Sequence, residues 1–328
     1  IRKSSDDHLP EIPDDLVNYL DQHAADLTSF RDRFLQGETP DVGIAYDVRN
    51  SKFISEIPSF SSLLIMTRLF MLRAIQHHQM GQVEEMRANL DAVLQIVEPL
   101  QDRHEVGAQF VKLRLETELL HIVQRLDIFP HSLQEKFQEN TRLRNEKMLQ
   151  SMRFESYYTY AMLSEISEPS DFFEIGKILS QFSKPYLQVI NRELWKVASQ
   201  IQTELQGSDV CRLNVEEFYT RISPGRWKIL DYSDVIRYQL GFWTRSQRFQ
   251  FSFELTEKVH QVKALTRQQG KFPESVPGIE TSTCAGSQWR YTVNPDGTAT
   301  LDLEGIPEAL EEFSSDPSWR YTLKRSQI

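Results

Sequence analysis

A chain of 328 residues with 40% hydrophobic side chains is long enough to bury one large core or two smaller ones. Its 47 acidic against 37 basic residues leave a net charge of −10, which repels phosphate backbones and disfavours nucleic acid as a partner. No apolar run reaches the roughly 18 residues that a membrane span needs; the nearest, residues 62–72, is interrupted by Arg68.

The chain starts at Ile1 with a polar stretch and no initiator Met. Loss of a signal peptide or a single anchor would leave such a start, as would removal of an ordinary Met or a tag. The expected compartment is extracytoplasmic or membrane-anchored through that missing segment, with the cytoplasm as the alternative. Beyond Pro13, Leu16, Leu20, Ala24, Leu27, Phe30 and Phe34 recur at helical spacing up to Gly37, which predicts one helix with one buried face. The next stretch holds Pro40, Gly43 and Pro58 and reads as a long ordered loop packing Ile44, Tyr46 and Phe53.

From Ser59 to Pro99 the pattern is a helical hairpin turning at Gly81. Its first helix is apolar nearly all round and so belongs in the interior; its second is amphipathic through Val83, Met86, Leu90, Val93, Leu94 and Val97. No second copy follows at a spacing of about 34 residues, so a tetratricopeptide solenoid reduces to irregular paired helices. Ser132 with Glu135 forms an S-x-x-E capping signal for a helix through Phe137 that continues past Tyr160. Ser170 and Pro185 each open a further helix, the second stopping at Gly207, and the region from Asp209 to Asp231 is broken. A final long helix runs from Tyr232 or Phe242 to Gly270.

After Gly270 alternation replaces helical periodicity. The letters WRYT occur twice, at Trp289–Thr292 and Trp319–Thr322. The first copy, the turn Asn294-Pro295-Asp296-Gly297 and the residues after it predict a β-hairpin in which Trp289, Tyr291 and Val293 oppose Ala299, Leu301 and Leu303. The second copy is a further strand, its Trp319 and Tyr321 laid with Trp289 and Tyr291 against the long helix. The expected fold class is mainly α, an irregular bundle or solenoid-like array of antiparallel helices with a small C-terminal antiparallel β-sheet. The expected parts are residues 1–207, 208–270 and 271–328.

Three constellations carry possible chemistry. Glu118 with His121 and Glu257 with His260 are E-x-x-H pairs, a spacing that sets both side chains on one helix face, as in di-iron carboxylate bundles. They define a metal-binding alternative, although such spacing also arises by chance in a chain with 28 Glu and 8 His. His77 and His78 with Glu84 and Glu85 could serve acid–base work or simply end a helix. Phe242, Trp243, Phe249, Phe251 and Phe253, interleaved with Arg245 and Arg248, could stack on a flat ligand or fill a core. Cys211 and Cys284 lie 73 residues apart without ligand spacing, and a disulfide and two buried thiols both stay open. Phosphate loops, dinucleotide fingerprints, nucleophile elbows and H-E-x-x-H are absent, so no cofactor and no catalytic residue is expected.

The run from Phe253 through Gly270-Lys271-Phe272-Pro273 to Ile279, followed by WRYTVNPDG, resembles the helix-to-sheet passage of bacterial pseudopilins of type II secretion and of bacterial envelope proteins with a helical domain before such a tail. It covers about residues 250–325. The resemblance implies a small antiparallel sheet packed on the long helix and a place in the cell envelope. Some 240 residues precede this helix where a pilin has an N-terminal membrane segment, so filament assembly is not implied. The function expected from the sequence is a non-catalytic protein-interaction or scaffold module with protein partners and no nucleic acid.

Overall fold

The computed structural model describes residues 7–9, 11–38, 46–47, 52–53, 60–165, 189, 192–222, 233–313 and 319–324. Helices dominate, and one three-stranded antiparallel sheet closes the C-terminal end, the architecture the sequence leads one to expect.

The first expected helix is in fact two, α1 (Asp14–Gln22) and α2 (Ala24–Leu35). The chain bends at His23 (φ −103°, ψ 16°) with little lost, because His23 N–H still reaches the Tyr19 carbonyl and Leu27 N–H the His23 carbonyl. Leu20 and Leu27 are buried on either side of the bend, whereas Phe30, expected on the buried face, is exposed. In the expected loop a two-residue ladder forms between β1 (Tyr46–Asp47) and β2 (Lys52–Phe53); the packing of Ile44, Tyr46 and Phe53 lies outside the described side chains.

Helices α3 (Phe60–Gln79) and α4 (Val83–Val97) make the expected hairpin. Gly81 sits at φ 71°, which a side chain would resist, and this lets Gln82 N–H close on the His77 carbonyl and Gly81 N–H on that of His78. Only the second half of α3 is interior, with Phe70, Met71, Ala74 and Ile75 buried, while Ile65 is 60% exposed. Val83 also faces outward, and the rest of the predicted α4 stripe is buried.

A short 3-10 turn leads to α5 (Val106–Val123), and then α6 spans His131–Glu165. Ser132 does not cap it: the helix already starts at His131, and the Ser132 hydroxyl donates instead to Asp91 Oδ1 at 2.9 Å. Residues 192–206 form α7, the described part of the helix read from Pro185, and it stops at Gly207 as expected; the opening of that helix at Pro185 and the element read at Ser170 lie outside the described residues. The stretch expected to be broken contains α8 (Val215–Ile222). Asn214 caps it, its Oδ1 accepting from Glu217 N–H at 2.7 Å, and Val215, Phe218 and Ile222 turn inward.

Helix α9 (Ser233–Gln269) is 37 residues long, about 55 Å at the usual rise. Strands β3 (Gln288–Val293), β4 (Thr298–Glu304) and β5 (Arg320–Lys324) follow in the order β3-β4-β5, and α10 (Glu308–Glu312) lies on the connection. The two predicted sets of residues do meet, in the register Trp289 opposite Leu303, Tyr291 opposite Leu301 and Val293 opposite Ala299. Tyr321 pairs with Leu301 from the other side, so both WRYT copies flank β4.

Two hydrophobic cores share α9. One gathers α1 to α5, the start of α6, and Phe249 and Phe253. The other joins α6, α7, α8 and the sheet to Trp243, Phe251, Leu255, Val259 and Val262. The predicted aromatic cluster of α9 is therefore a spine read from two sides. Among the described residues no helix is long and apolar enough to cross a membrane.

Candidate functional site

The two E-x-x-H pairs are engaged with different neighbours. On α5, Glu118 takes a bidentate contact from Arg68 (Nε to Oε2 2.9 Å, Nη2 to Oε1 2.6 Å) and a third bond from Arg114 at 3.1 Å. Burial by itself would raise its carboxyl pKa; hydrogen bonds from the two arginines and their charges outweigh it and hold the group below the usual carboxylate range. His121 lines a cleft of about 340 Å³ with Arg114, Arg245, Phe249 and Trp319.

On α9, Glu257 accepts from Gln134 Nε2 at 3.1 Å. His260 donates from Nε2 to the Val123 carbonyl at 2.9 Å and lies 5.2 Å from the Phe129 ring. Burial, then the Lys263 charge, pushes the imidazole down to about 3, so it is neutral, and Nδ1 is sealed without a partner among the described residues. Among those residues no group of three or more His, Cys, Asp and Glu stands together as a metal site would need.

His77 and His78 terminate α3. His77 Nδ1 donates to Gln82 Oε1 at 2.5 Å, and Glu85 pairs with Arg31. These contacts hold the hairpin turn and α2 in place. The α9 aromatics are likewise spent on packing: Phe249 and Phe253 meet Phe137 edge-on at 5.8 and 6.3 Å, and Arg144 lies 3.7 Å over the Phe249 ring.

Sequence reasoning missed the polar anchors of the C-terminal cap. Lys263 Nζ meets Asp7 Oδ1 at 2.6 Å and donates to the carbonyls of Gln124 and Leu126. The Tyr321 hydroxyl lies 3.0 Å from the same Asp7 oxygen, and Asp7 N–H donates to the Thr322 carbonyl. Burial pushes the Asp7 carboxyl up and the Lys263 ammonium down, against their mutual attraction. Nearby, Trp289 Nε1 donates to Glu254 Oε1 at 2.7 Å. These partners lie far apart in the chain, and no local spacing could reveal them. Cys211 and Cys284 form a disulfide with Cα atoms 5.3 Å apart, tying the segment before α8 to the loop before β3; of the two open alternatives, this is the one found.

A second cleft, of about 390 Å³, opens where α6, α7 and α9 meet. Glu155, Tyr160, Trp195 and Tyr238 line it, with Asp234 in the first turn of α9. Its polar floor is already satisfied, since Ser156 Oγ accepts from Gln202 at 3.0 Å and from Gln239 at 3.2 Å. The Glu155 carboxyl is pushed up by burial and then by the Glu105 charge.

Set against known protein families, curated proteins and solved structures, the chain matches none.

Proposed function

We propose that this chain is a non-catalytic protein-interaction or scaffold module of a bacterial cell envelope, working outside the cytoplasm. The observation that carries the reading is the Cys211–Cys284 disulfide. Such bonds persist in oxidising compartments, and cytosolic thiols are kept reduced. The bond also staples the small sheet onto the helical body, as a module exposed to that environment requires. The pseudopilin-like passage supports the same place: α9 ends at Gln269 just before Gly270, Phe272 is buried in the C-terminal core, and an antiparallel sheet packs on the helix. Tyr19, Phe30 and Leu35 on α1 and α2 stay exposed outside either core, the kind of side chain that partner contacts use.

Thiol alkylation of intact cells that make the protein, followed by mass spectrometry, tests the compartment. Both cysteines are expected to resist labelling until reductant is added; full labelling without reductant overturns the envelope reading. A photo-crosslinker placed in turn at Tyr19, Phe30 and Leu35 in the same cells is expected to give one discrete heavier adduct. Monomer alone at all three positions overturns the interaction reading.

A further inference from the structure

The cleft between α6, α7 and α9 has a chemistry of its own, independent of that reading. Aromatic rings form its walls: Trp195 lies 5.9 Å from Tyr160, centroid to centroid, at an interplanar angle of 50°, and Tyr238, 56% exposed, stands at the mouth. Tyr157 adds an edge contact to Trp195 at 6.3 Å. Two carboxylates, Glu155 and Asp234, border the same space, and no lysine or arginine does so among the described residues. The floor hydroxyl and amides bond to one another. The Glu155 carboxylate, by contrast, has no hydrogen bond or ion pair among the described residues, although it is partly withdrawn from water. A half-buried carboxylate without a counter-charge costs free energy that a cation would recover.

The type of cation follows from the walls. A primary ammonium needs several acceptors around it; here Glu155 and Asp234 offer theirs at the border, the floor groups bond to one another, and the ring and aliphatic walls supply none. An alkylated nitrogen carries its charge on a shell of methyl groups, which fits the faces of Trp and Tyr and needs no N–H acceptor. The volume suits a small molecule. We propose that this cleft is a binding site for a small organic cation with a quaternary or methylated nitrogen, held by the rings of Tyr160, Trp195 and Tyr238 and neutralised by Glu155.

Titration calorimetry of the full chain with tetramethylammonium and with choline tests it, with dimethylbutanol, the uncharged carbon analogue of choline, as the control alcohol. Saturable binding of the cations is expected, without binding of the alcohol, and weakened about tenfold in Glu155→Gln. In the unmodified protein, NMR is expected to show the Trp195 indole N–H shifting with the cations; this readout holds even where the variant folds poorly. No cation binding, equal binding of the alcohol, an unchanged affinity in a folded Glu155→Gln, or shifts at other tryptophans with Trp195 still would each overturn the proposal.

Discussion

The two cores of this molecule are assembled on different plans. In the N-terminal one, helices pack mainly on near neighbours in the chain, α3 on α4 and α2 on α4, and ion pairs such as Arg33–Glu38 sit at its exposed edge. The C-terminal core draws its parts from the whole chain: Asp7 reaches Thr322, Gln124 reaches Thr256, Cys211 reaches Cys284 and Trp289 reaches Glu254. A core of local contacts is held by repeated apolar spacing and tolerates loss of an exposed pair such as Arg33–Glu38. A core of remote contacts depends on a few buried anchors, and each of these carries more weight.

That contrast can be broken most sharply at Trp289. Trp289→Ala removes a ring that is 2% exposed and leaves Glu254 without its indole donor. A loss of about 4 kcal/mol is expected in chemical denaturation, together with near-ultraviolet signal from the cap; a cost below about 1 kcal/mol would mean that the cap is not integrated with α9. Replacing both cysteines by serine opens the 73-residue link and is expected to cost about 3 kcal/mol, read as a lower melting temperature. An unchanged melting temperature would place the stability of the cap in its packing alone.

Acid sharpens the comparison further. His260 has a folded pKa of about 3 against an ordinary 6.5, so the unfolded chain binds its proton first as pH falls. The contribution is fully present above pH 6.5 and is lost progressively below it, by about 2 kcal/mol at pH 5 relative to pH 7. His260→Gln should flatten that slope between pH 6.5 and 5, and an identical slope in the variant would locate the proton uptake elsewhere. At the exposed edge of the other core, Arg33→Ala breaks its contact with Glu38, where both side chains are more than half exposed. The expected change is under about 0.5 kcal/mol, and a larger one would contradict the view that local packing holds that end.

Legibility followed the same division. Period-3.6 spacing marked the α3–α4 hairpin and the long α9, and strict alternation around Asn294–Gly297 marked which residues of β3 and β4 share a face. Helix α8 escaped because eight residues give too few turns for a periodic signal, although Asn214 before Val215 was a usable cap. The bend at His23 carries no Gly or Pro to announce it, and it exists because α2 must turn to lie on α4. The cleft between α6, α7 and α9 was invisible, since Glu155, Trp195 and Tyr238 come from three helices whose approach no spacing encodes.

By itself, then, the sequence determined the helical class, the helical hairpin, the spine and the β-hairpin of the first WRYT copy, because these depend on backbone periodicity and turn residues within a few positions of one another. Tertiary structure alone decided the disulfide, the Asp7–Lys263–Tyr321 anchor, the division of the α9 aromatics between two cores and the partners of Glu118 and His260. Each of those depends on which remote groups share a region shielded from water, where burial and pairing set the free energy.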